Sequence, residues 1–61
     1  MLATKDLLFL RLDEARRLVE LEGQRRDEEA TRIAFGRAEG IAETLEMLGI
    51  NVPIWIGKPN Y

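Results

Sequence analysis

Between Thr4 and Glu22 apolar residues recur at helical spacing in two adjacent stripes, and their combined width is what most limits the folds open to this chain. At 100° per residue, Leu8, Leu12, Ala15 and Val19 share one stripe. Leu7, Leu10, Leu18 and Leu21 form a second stripe beside it. Together they span roughly 200°, about twice the width a surface helix needs to face a core. A single neighbouring helix cannot cover such a surface. Leu, Ala, Glu and Arg dominate the segment, all good helix formers, with Thr4 placed to cap it and Asp6 near its positive end.

A second helical segment runs from Glu28 to Leu48. Ala30, Ala34, Ala38, Ile41, Leu45 and Leu48 line one narrow stripe, small at first and large later. Gly36 and Gly40 lie on a neighbouring face beside Ile33 and Met47. Each costs about 1 kcal/mol relative to Ala, which close packing against another helix would offset; incidental glycines on an exposed face are the plainer alternative. The run Leu45…Leu48-Gly49-Ile50 predicts a Schellman ending with Gly49 left-handed and Ile50 folding back towards Leu45.

Between the two segments, Gly23 to Glu29 contains no apolar residue. Gly23 is suited to end a helix and Asp27 to cap the next, which predicts a turn near 23–27. One continuous helix over 4–48 is the alternative, supported by Glu22/Arg26 and Glu28/Arg32 at i,i+4. The expected fold is therefore all-α: an antiparallel two-helix hairpin, about 4–22 and 28–48, forming one small domain over 1–61.

The tail, 49–61, is the densest run of β-branched and aromatic residues. Ile50, Val52, Ile54 and Ile56 alternate with Asn51, Pro53, Trp55 and Gly57, the period of a strand, and Tyr61 closes the chain. Pro53 restricts such a strand to an edge, or to a segment that packs without pairing. The alternation predicts an extended segment, 50–57, with its four β-branched residues against the helices and Trp55 turned away. Pairing with a partner's sheet edge, or with a second copy of the tail, is the functional counterpart of that lid, with Trp55 as the anchor.

Size adds a demand for support. With 61 residues, no Cys and no His, neither a disulfide nor an ordinary zinc or haem site is available as a staple, and oligomerisation is what remains. The hairpin is thus expected to assemble into a dimeric or higher helical bundle. At 46% hydrophobic and 33% charged residues the composition is that of a globular chain rather than a disordered one. The longest apolar run, Leu7 to Leu10, is too short to cross a bilayer. A cytoplasmic protein without membrane contact is expected.

Chemistry is sparse. Without His, Cys or Ser the familiar nucleophile–base pairs cannot be built, and no glycine-rich phosphate loop occurs. Glu39, Glu43 and Glu46 share a helical face, but a row of carboxylates on a convex surface is not a cation site. They also oppose the helix dipole, with no basic residue between Arg37 and Lys58 to offset them. The expectation is no enzyme activity, no cofactor and no metal. Arg25, Arg26 and Arg32 near the turn form a candidate nucleic-acid contact, weakened by interleaved acids and a net charge of −2. No motif places the chain in a family. The function expected is a small protein–protein interaction module: a regulator, adaptor or inhibitor working as a helical oligomer, bound to itself and to another protein. Its candidate partner-binding residues are Trp55, Ile54, Ile56, Leu7, Leu18 and Leu21. A nucleic-acid-binding regulator and a purely structural assembly protein are the alternatives.

Overall fold

The computed structural model describes residues 3–59. Helix α1 spans Thr4–Gln24 and helix α2 spans Glu28–Met47. No strand forms among the described residues. The chain reverses at 25–27, so the two helices pack antiparallel and the continuous helix does not occur. Thr4 is the first helical residue rather than the cap; Ala3 holds the cap position and supplies no side-chain hydrogen bond.

The reversal is tighter than the sequence predicts, and it uses an arginine where a glycine was expected. Gly23 lies inside α1, whereas Arg26 takes the left-handed conformation at φ 59°. The Arg26 N–H donates to Gly23 O at 3.1 Å and the Asp27 N–H to Glu22 O at 3.1 Å, the two bonds of a Schellman ending. Asp27 then opens α2, accepting from the Ala30 N–H on its Oδ1 at 3.1 Å. The Asp27 carbonyl accepts from the Thr31 N–H at 3.0 Å and from the Thr31 hydroxyl at 2.6 Å. One residue therefore closes the first helix and starts the second. Those bonds also satisfy Thr31, the one buried polar residue among the described residues.

The seam between the helices is thin. Leu12 and Ala15 from α1 form one buried cluster with Ala38 and Leu45 from α2, Val19 and Ala34 are buried too, and of these only Leu45 is a large side chain with no exposed surface. Ala38 and Ala34 let the helices approach, as their stripe implies. Leu48, assigned to the same stripe, is 59% exposed because α2 ends before it. The α2 ending is the expected one: Gly49 at φ 77°, with the Gly49 N–H donating to Glu46 O at 2.9 Å and the Ile50 N–H to Leu45 O at 3.0 Å. Gly36 and Gly40 are exposed, and a Cβ added at either would meet nothing within 4 Å. Within the chain they serve no close helix approach.

Candidate interaction surfaces

Beyond Gly49 the tail runs back over one side of the hairpin, and it does so with the faces reversed after Pro53. Ile50 and Val52 pack on the Leu12/Ala15/Ala38/Leu45 cluster, as alternation predicts. The next residue to pack there is Trp55, while Ile54 and Ile56 are 90% and 97% exposed. Pro53 fixes its own φ and restricts Val52 to extended conformations, and a proline-led segment repeats every three residues rather than every two. The inward positions 52 and 55 have that spacing. The expected inward Ile54 and Ile56 and outward Trp55 are thus both corrected, and no strand is made.

Two ring contacts and one backbone hydrogen bond hold Trp55. Its ring stacks on Phe35 of α2 at a centroid distance of 5.9 Å and an interplanar angle of 26°. The Arg16 guanidinium of α1 lies 5.2 Å from the Trp55 centroid and donates from Nη2 to Pro53 O at 3.4 Å. A turn closed by the Lys58 N–H donating to Trp55 O at 3.3 Å brings Lys58 back over Phe35, 5.7 Å from its centroid. Lys58 Nζ also reaches Glu39 Oε1 at 3.5 Å, so the tail supplies a basic partner for the otherwise uncompensated acidic row. Each contact is individually modest, on the order of 0.5–1 kcal/mol for an exposed cation over a ring and less for a surface ion pair. Together they fix the tail on the side of α1 that carries Phe9, Leu12 and Arg16. Arg16 and Phe35 were not singled out by sequence as a tail site. Their signal was only positional, one on the flank of each helix's buried stripe.

The opposite side of the hairpin is bare. A shallow groove there is lined by Leu8, Arg11, Glu14, Ala15, Leu18, Arg37 and Ile41, and its continuation by Leu18, Glu22, Ala30, Ile33, Ala34 and Arg37, with no tail residue in either. Leu7, Leu18 and Leu21 are 46%, 38% and 44% exposed. Leu10, Ile33 and Met47 are exposed as well. Of the candidate partner-binding residues, Leu7, Leu18 and Leu21 therefore lie together along α1, Ile54 and Ile56 stand out from the tail, and Trp55 is largely engaged within the chain. Tyr61 lies outside the described residues.

The arginines of the turn sit among acids. Arg25 pairs with Glu22 at 3.5 Å, and Arg26 is followed directly by Asp27, Glu28 and Glu29. Arg32 is exposed on the first turns of α2. No group of three or more carboxylates converges to hold a metal ion among the described residues. No helix among them is long and apolar enough to cross a membrane. The chain matches no protein-family model, no curated protein and no solved structure.

Proposed function

We propose that this chain is a small non-enzymatic protein–protein interaction module that works as a helical oligomer and offers a second apolar surface to another protein. The observation that carries this reading is the distribution of large apolar side chains. Among the described residues Leu12, Val19 and Leu45 are the only buried ones, whereas Leu7, Leu10, Leu18, Leu21, Ile33, Met47, Leu48, Ile54 and Ile56 are exposed. Scattered exposed leucines need no explanation, but a row of them along a helix marks a contact surface. Area supports the same reading. The accessible surface is 4998 Å², against about 4,000 Å² expected for a monomer of this mass. The difference, about 1,000 Å², is close to the roughly 800 Å² each partner buries in a standard interface.

The α1 row serves self-association, and Ile54 and Ile56, raised on a tail anchored by Trp55, serve the second contact. A melting experiment over a range of micromolar concentrations tests the first part. Assembly coupled to folding makes the melting temperature rise with protein concentration. A melting temperature independent of concentration would contradict it.

A further inference from the structure

We propose that the bare face of α1 binds a second copy of this chain in antiparallel register about a two-fold axis between residues 12 and 13. The inference rests on the self-association proposed above and specifies its geometry. Leu7, Arg11, Glu14, Leu18 and Leu21 follow one another at spacings of four and three, the seam of a coiled coil. Leu7 and Leu18 are centred on the same point of the helix as Arg11 and Glu14. An antiparallel copy therefore sets Leu7 against the partner's Leu18 and Arg11 against the partner's Glu14, and the two-fold repeats both contacts. The same surface patch is used on both copies, as a closed dimer requires.

Charge selects this arrangement over its rival. A parallel pair would set Arg11 beside Arg11 and Glu14 beside Glu14, like charges in the middle of the seam. The antiparallel pair makes two opposite-charge contacts instead. Arg11 and Glu14 are exposed, and neither joins an ion pair among the described residues, so both are available. A polar pair at the centre of a short apolar seam fixes register and direction more than it adds affinity. The tail does not obstruct the approach, because it covers the Phe9/Leu12/Arg16 side and the groove beside Arg11, Glu14 and Leu18 has no tail residue in its lining.

The test is charge reversal followed by sedimentation equilibrium of the full chain in low-salt buffer, with circular dichroism as the check on folding. Arg11→Glu alone or Glu14→Arg alone turns two attractive contacts into two repulsive ones, and each is expected to weaken dimerisation about tenfold or more. The double variant Arg11→Glu/Glu14→Arg is expected to dimerise like the wild type. An equimolar mixture of the two single variants is expected to recover association too, since every cross-copy contact then pairs opposite charges. A wild-type oligomer that both single variants leave unchanged, or a double variant and mixture that stay weak while helical, would overturn the register but leave the interaction module standing. A monomeric wild type would overturn both.

Discussion

The Arg16 guanidinium rests 5.2 Å from the centre of the Trp55 ring while its Nη2 donates to Pro53 O, so a residue of α1 grips the tail by both its side chain and its backbone. Arg16 Nε is buried without a hydrogen-bond partner among the described residues, so the grip is bought at some desolvation cost. With Phe35 behind the ring, Trp55 becomes the point through which the tail is fixed to both helices.

Trp55→Ala is therefore expected to destabilise the fold by about 2–3 kcal/mol, somewhat less than truncation of a fully buried aromatic. Ile54→Asp is expected to leave the melting temperature within the small range of ordinary surface changes, since Ile54 is 90% exposed. Thermal melts of the two variants check the pair. The opposite ranking would mean that Ile54, and not Trp55, faces the helices.

Backbone conformation gives a second pair of opposite signs. Gly49→Val is expected to destabilise by at least about 1–2 kcal/mol, because a β-branched residue is forced to φ 77°. Gly23→Ala is expected to stabilise by up to about 1 kcal/mol, because position 23 is helical and a Cβ there meets nothing. Arg26→Gly is expected to stabilise by roughly 0.5–1 kcal/mol, by relieving a side chain at φ 59°. Urea denaturation midpoints report all three, and a loss on Arg26→Gly would show that the Arg26 side chain does more for the turn than its backbone costs.

The paired glycines of α2 supply the third test. Gly36→Ala and Gly40→Ala are each expected to raise stability by up to about 1 kcal/mol, since both Cβ atoms would enter open space. Oligomer mass is expected to stay unchanged in both, because the proposed seam lies on α1. Loss of association in either variant would move the interface to α2.

Much of this fold was legible in the sequence. Both helices, the stop at Gly49 and the return of Ile50 and Val52 to the helices follow from spacing and from glycine's tolerance of positive φ. The turn was legible in position but not in detail. Arg26 takes the left-handed site because Asp27 must both close α1 and cap α2, a constraint no single-residue preference encodes. Trp55 departs from the alternation for a related reason: the period of two does not continue through Pro53, and the inward positions 52 and 55 are three apart. Phe35 and Arg16 carried no periodic signal, since each lies beside a buried stripe and gains its role only when the tail arrives. The exposure of Leu7, Leu18 and Leu21 was readable because the apolar width of α1 exceeds what one neighbouring helix can cover.

The most direct measurement of the central claim, association through the bare face of α1, is sedimentation equilibrium of the wild type and Leu18→Glu at micromolar concentration. The wild type is predicted to sediment at a multiple of 7.0 kDa, and Leu18→Glu, with its helices intact by circular dichroism, at 7.0 kDa. A wild type that sediments at 7.0 kDa under these conditions, or a Leu18→Glu variant that associates as the wild type does, would contradict it.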